Sequence, residues 1–162
     1  MKPTLYAGHD GKHRRWTGGR LAAAVLMMFS MVGAMITYLD EAGYAQPDWP
    51  GAILVAALVG VMAGWGQLGR NLGREYMLSG LFGLGAAVVG LIFFAMIYGF
   101  RSAWITHFGV GFDAAIDVIT HILSTGITVG KAVLASPRTI LALGLGSLTA
   151  GIIAEFCNRI WK

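Results

Sequence analysis

Charged side chains are scarce in this sequence, and cysteine is nearly absent. Of the 162 residues, 12 are Lys or Arg and 8 are Asp or Glu, so the charged fraction is about half that of an average soluble domain. The one cysteine, Cys157, excludes an intramolecular disulfide and a CxxC redox or zinc site. A Walker A loop is excluded too, because the Gly-rich segment near Gly66 has no Lys followed by Ser or Thr. These absences point away from a soluble enzyme.

Long uncharged runs are what the sequence has instead. They are Leu21–Leu39, Gly51–Gly69, Tyr76–Phe100 and Thr139–Ala154. All but the last match the roughly 20 residues that cross a ~30 Å hydrocarbon core as a helix. We therefore expect an all-α fold, an integral membrane bundle of four transmembrane helices plus one periplasmic interfacial amphipathic helix.

The predicted division has three parts: a cytoplasmic basic N-terminal segment (1–19), a membrane domain (20–158) and a short cytoplasmic tail (159–162). The predicted spans cover about residues 20–39, 51–69, 76–100 and 137–157, and the interfacial helix covers about residues 113–135.

The sign of the flanking charges predicts the topology. Five Lys or Arg residues precede or open the first span, whereas the loop after it carries Asp40, Glu41 and Asp48 and no basic residue. Arg70 and Arg74 follow the second span. Because basic residues favour the cytoplasmic side of a membrane, we expect both termini to be cytoplasmic. Topology then explains the net charge of +4, so we expect membrane lipids as partners and no nucleic acid.

The segment 113–135 differs from the four runs, because its longest uncharged part, Val118–Gly130, is too short for an ordinary span. Its polar residues recur at steps of three and four, on one helical face. They are Asp113, Asp117, Thr120, His121, Ser124, Thr128 and Lys131. We interpret the segment as an amphipathic helix on the outer membrane surface. The alternative is a fifth span, which would place the C-terminus outside and charged groups in lipid. Ser136-Pro137, which follows, resembles an N-cap and a proline at the first position of the last helix.

Small residues spaced four apart recur in the predicted spans. Gly60 and Gly64 form such a pair in the second span, and Gly146, Ser147 and Gly151 belong to similar pairs in the fourth. These spacings lay a flat stripe on a helix and allow a neighbouring helix to approach closely. We interpret them as helix packing within the chain, with contact to a second copy or a partner protein as the alternative.

Four charged residues gather at the predicted cytoplasmic boundary. Arg70 and Arg74 lie in a Gly-rich turn, where guanidinium groups could bind lipid phosphates or an oxyanion; the other explanation is that they only set the topology. Glu155 and Arg159 are one helical turn apart and can form a local ion pair. Glu155 could instead reach Arg70 or Arg74 from the neighbouring loop.

No catalytic residue, cofactor site or metal site is predicted. Asp113, Asp117 and His121 could share a metal, but the same residues are expected on the wet face of an interfacial helix. Cys157 is interpreted as a small buried residue rather than a reactive thiol. In the predicted topology Asp117 and His121 lie across the membrane from Glu155, so these three cannot form one active site.

Three motifs follow one another along the chain. They are Gly60-x-x-x-Gly64-Trp65, Gly69-Arg70-x-x-Gly73-Arg74-x-Tyr76 and Gly151-x-x-Ala154-Glu155-x-x-x-Arg159-x-Trp161. In order and spacing the chain resembles the TrgA family, small bacterial membrane proteins associated with tellurite resistance. The segment Met1–Gly19 is longer than the lead expected before the first span in that family.

The resemblance implies a place in the bacterial inner membrane and a phenotype, not a mechanism. One cysteine and no flavin, haem or dinucleotide motif make the chain a poor tellurite reductase. We therefore expect a non-enzymatic protein that acts by helix packing or partner binding, as a homo-oligomer or as an accessory subunit of a larger membrane complex. The alternative is a small oligomeric oxyanion transporter or channel, with Arg70 and Arg74 attracting the anion.

Overall fold

Five helices make up the part of the chain that the computed structural model describes, residues 17–42, 49–107 and 115–161. They are α1 (Thr17–Glu41), α2 (Trp49–Ala63), α3 (Tyr76–His107), α4 (Ala115–Ala135) and α5 (Pro137–Ile160), and α2 continues through a π-helical turn, Gly64–Leu68. No strand occurs in these ranges. All five helices, with α2 counted through its π-helical turn, are long and apolar enough to cross a membrane. The protein is therefore an all-α, multi-pass membrane protein.

The bundle has two ends, which we name after the residues that close them. At the Glu155 end, Gly19 of α1 lies against Asn158 of α5, and the loop after the π-helical turn begins beside Arg20. At the Ser136 end, the Ser136 hydroxyl at the start of α5 donates to the Glu41 carboxylate at the end of α1. α1 and α5 are thus antiparallel neighbours.

Small apolar side chains fill the bundle in two buried clusters. The cluster nearer the Glu155 end joins α1, α3 and α5 with the end of α2 through Ala23, Met27, Ala63, Leu68, Ala86, Ala87, Ala150 and Ala154. The cluster nearer the Ser136 end joins α1, α2 and α3 through Met31, Met35, Leu39, Ala52, Val55, Ala56, Val59 and Phe94. Lipid tails are as apolar as these side chains, so close packing rather than the hydrophobic effect holds the helices together.

Glycines bring the helix backbones into direct contact. A Cβ atom at Gly64 would overlap the α1 backbone at Ala23, and one at Gly151 would overlap the α3 backbone at Ser79. Both glycines belong to small-residue spacings that predict close helix approach. The contacts of these two glycines lie within one chain.

The start of α5 confirms the N-cap that Ser136-Pro137 predicts. Ser136 has an extended backbone (φ −90°, ψ 107°), and its hydroxyl oxygen accepts a hydrogen bond from the Thr139 N–H at 3.1 Å. Pro137 occupies the first turn, where the missing N–H has no helical partner to lose.

α3 extends past the end that the sequence predicts. The predicted span finishes at residue 100, whereas the helix continues to His107; the other predicted spans agree with the helices to within three residues. Around this point α3 packs against α4: a Cβ at Gly99 would overlap the Ile122 backbone, and the Ser102 hydroxyl lies 3.4 Å from His121 Nε2. α3 therefore pairs first with α5 and then with α4.

α4 has one covered face and two uncovered ones. Only 11% of its apolar window is buried, against 28–44% in the other four helices. Its exposed apolar residues are Ile116, Ile119, Leu123, Ile127 and Leu134. Its exposed polar residues are Asp117, Thr120, Ser124, Thr128 and Lys131. Its exposed apolar and polar residues thus lie on two adjacent faces, while Asp113 of the predicted segment lies outside the described residues.

Candidate functional site

A fully buried carboxylate organises the Glu155 end of the bundle. The Glu155 side chain is 0% exposed, although it lies only five residues from the end of α5. Its Oε2 atom accepts a hydrogen bond from the Gly73 N–H at 2.6 Å and a longer one from the Ser79 hydroxyl at 3.4 Å. Its Oε1 atom accepts from Arg159 Nε at 2.9 Å. A buried charge is costly unless it is paired and hydrogen-bonded, and Glu155 meets both conditions.

Backbone geometry delivers the two neutral donors to Glu155. Gly73 has a positive φ of 94°, which a residue with a Cβ atom adopts only under strain. That conformation lets the loop between the π-helical turn and α3 present its N–H to the carboxylate. Ser79 lies in the first turns of α3, and the contact between its backbone and Gly151 places α5 close enough for the hydroxyl to reach Glu155.

Arg159 connects α5 to the same loop and to α3. Besides its 2.9 Å ion pair with Glu155, its Nη2 atom donates to the Arg74 carbonyl oxygen at 2.7 Å. Its guanidinium lies over the Tyr76 ring, 4.2 Å from the ring centroid, a distance at which a cation is attracted to the ring face. The sequence raised Arg70 and Arg74 as other partners for Glu155, but its charged partner among the described residues is Arg159.

Arg70 and Arg74, grouped by the sequence as one anion-binding pair, occupy different surroundings. The Arg74 guanidinium lies over the Phe82 ring, 5.1 Å from its centroid. Arg70 instead lines a groove of about 280 Å³ between α2 and α3, together with Gln67 and Gly66 of the π-helical turn. Arg70 thus faces a space that could receive a ligand, whereas the Arg74 guanidinium is placed over an aromatic ring.

The residues predicted to pack helices lie at contacts between helices of the same chain. Gly60 and Gly64 face α1, and Gly146 faces Ser30 of α1. Ser147 is fully buried, and a Cβ atom at Gly83 of α3 would overlap its carbonyl oxygen. These contacts occupy the small-residue stripes.

The alternative metal site is described only in part, because Asp113 lies outside the described residues. No group of three or more His, Cys, Asp or Glu side chains that could hold a metal occurs in the described ranges. Asp117 is exposed, and His121 Nε2 lies 3.4 Å from the Ser102 hydroxyl. Cys157 is half-buried.

Sequence reasoning missed the two neutral partners of Glu155. Ser79 and Gly83 form a small-xxx-small pair at the start of α3, a spacing that predicts the close contact with α5. Gly73 stands before Arg74 in a Gly-rich loop, which favours a positive φ. The charges suggested that this loop lies near Glu155, but they pointed to the Arg70 and Arg74 side chains rather than to the backbone N–H of Gly73.

The fold and this buried network define a multi-pass helical membrane protein whose loop between α2 and α3 is fixed to the end of α5. No family model matches the chain, and neither a curated protein nor a solved structure is significantly similar to it.

Proposed function

We propose that this chain is a non-enzymatic integral membrane protein of the TrgA type that acts through helix packing and partner binding, as an accessory subunit of a larger membrane complex. The observation that supports partner binding best is the exposure of α4. The chain itself covers only one face of this helix, so its exposed apolar face, with Ile116 75% and Leu123 56% exposed, is available to a helix of a partner protein. Its charged residues Asp117 and Lys131 are exposed, whereas Glu155 is buried.

Residues of the three motifs that resemble the TrgA family lie at the same end of the bundle. Gly73 and Arg74 of the second motif both contact Glu155 or Arg159 of the third. Gly64 of the first motif packs against α1 at the same end of the bundle. Residues far apart in sequence thus converge on one cluster, as expected if the three motifs form one structural unit.

The proposed topology has α1, α2, α3 and α5 crossing a bacterial inner membrane, with both termini cytoplasmic and α4 on the periplasmic surface. The three faces of α4 suit that position: one covers α3, the apolar one enters the lipid, and the polar one meets water. In a fifth span, the polar face that runs from Asp117 to Lys131 would be exposed to lipid, and charged groups inside a membrane are costly.

Cysteine labelling tests this topology. In a Cys157→Ala background, Ser124→Cys on the polar face and Leu123→Cys on the apolar face differ by one position. In intact cells, a membrane-impermeant maleimide should label position 124 and spare position 123. Protection of both positions, with a C-terminal reporter active outside the cytoplasm, would establish five spans instead.

Purification of the full chain from native membranes in mild detergent tests the function. We expect a discrete species on native gels, larger than the monomer and containing a second protein. Ile116→Trp, on the 75% exposed apolar face of α4, should reduce that species, whereas Leu54→Trp, on the 63% exposed face of α2, should not. A strictly monomeric protein without a partner would contradict the proposal.

The second candidate, a small oligomeric oxyanion transporter, draws support from the groove at Arg70. Liposomes that contain the protein should then take up an oxyanion, and Arg70→Ala should reduce the uptake. Absence of flux in oriented liposomes would exclude this function.

A further inference from the structure

A groove on the outside of the bundle combines an apolar wall with a cationic mouth. It lies between α2 and α3, and its volume is about 280 Å³. Val59, Met62 and Phe93 contribute to its wall, and Gly66, Gln67 and Arg70 lie at the end where the π-helical turn meets the loop. It is separate from the uncovered faces of α4.

The π-helical turn explains why the groove is open. One side of the turn lies against α1. A Cβ atom at Gly64 would collide with Ala23, and one at Gly69 would collide with Arg20. Gly66, on the other side, has no atom within 4 Å of its Cβ position. π-helical turns inside α-helices are frequently found at functional sites.

Arg70 differs from the other two arginines of this cluster in its surroundings. Arg159 pairs with Glu155, and Arg74 stacks on Phe82. Arg70 is exposed, and among the described residues it has no acidic group in salt-bridge contact. A guanidinium and a primary amide at the mouth can both donate hydrogen bonds to phosphate oxygens.

We propose that this groove binds one anionic phospholipid, with its phosphate at Arg70 and Gln67 and an acyl chain against the apolar wall. The groove's position along two spanning helices suits a molecule with a charged head and an apolar tail. Inorganic phosphate would satisfy Arg70 but leave the apolar wall uncovered.

Native mass spectrometry of the delipidated full chain in detergent measures this binding. Phosphatidylglycerol should bind about fivefold more tightly than phosphatidylcholine with the same acyl chains, the effect of one cation near a phosphate surface. Arg70→Gln should abolish that preference. Arg74→Gln should retain it, because its guanidinium lies over Phe82 rather than in the groove.

Filling the groove with a larger side chain tests whether an acyl chain packs against its apolar wall. Gly66→Leu should weaken both lipids about tenfold by removing apolar contact, whereas Gly33→Leu, at another glycine with open space around it, should not. If Gly66→Leu melts early, Val89→Phe narrows the groove from α3. Equal affinity for the two lipids, or a preference that survives Arg70→Gln, would overturn the proposal. So would complete displacement of the bound phosphatidylglycerol by inorganic phosphate.

Discussion

The two ends of the bundle each use a glutamate to join distant helices, and the two glutamates are in opposite environments. Glu155 is 0% exposed and accepts hydrogen bonds from a backbone N–H, a hydroxyl and a guanidinium. The Glu41 side chain is 26% exposed; it accepts from Ser136 and lies 3.7 Å from Arg138, which is 76% exposed. Water can replace many of the hydrogen bonds and charge contacts of Glu41. It cannot replace the hydrogen-bond donors of Glu155, because that side chain is buried.

This difference shows how a charged group becomes structural at a membrane boundary. Surface ion pairs contribute about 0–1 kcal/mol, whereas a buried carboxylate that loses its donors is expensive. Stability should therefore depend on the Glu155 end more than on the Ser136 end, and the fixed loop there keeps Arg70 beside its groove.

Removing the Glu155 carboxylate should have the largest effect. Glu155→Ala leaves the Gly73 N–H and the Ser79 hydroxyl without their acceptor, so the free energy of unfolding should fall by roughly 3 kcal/mol. Thermal unfolding in detergent, followed by circular dichroism, measures the change. The matched control is Glu75→Ala, which removes an exposed carboxylate from the same loop. A loss no larger than that of the control would show that the network contributes little.

Changing the loop backbone should have a smaller effect. Gly73→Ala forces a Cβ atom into the positive φ region, at a cost of about 1–2 kcal/mol. Gly66→Ala, where the Cβ position is open and no positive φ occurs, should leave the melting temperature nearly unchanged. Equal melting temperatures for the two variants would mean that the loop moves freely to relieve the strain.

At the Ser136 end, the N-cap should matter more than the ion pair. Ser136→Ala removes the acceptor of the Thr139 N–H and should cost about 1 kcal/mol. Ser124→Ala, on the exposed face of α4, serves as the control in the same unfolding measurement. A loss as large as that of Glu155→Ala would contradict the ranking of the two ends.

The helices followed from the sequence because hydropathy and charge are local signals. Uncharged runs located α1, α2, α3 and α5, and Ser136-Pro137 fixed the start of α5. The helix α3 continues to His107, past the uncharged run that ends at residue 100, and Ser102 in this extension contacts His121 of α4. An apolar run cannot report a contact with a segment twenty residues further on.

Only the part of the candidate site that lies within one helix could be predicted from the sequence. The i, i+4 spacing of Glu155 and Arg159 suggested an ion pair, which depends on one helix alone. The Gly73 N–H donor and the separation of Arg70 from Arg74 depend on the loop conformation and on the contact between α3 and α5. Those are tertiary features, and pairwise spacing along one chain does not encode them.

Two double-mutant cycles test most directly whether burial distinguishes the two ends. One cycle combines Glu155→Ala with Arg159→Ala, and the other combines Glu41→Ala with Arg138→Ala, with unfolding free energies measured in the same detergent. The coupling of Glu41 with Arg138 should stay below about 0.5 kcal/mol, and that of Glu155 with Arg159 should be several times larger. Equal couplings, or a larger one at the Ser136 end, would contradict the role assigned to the buried carboxylate.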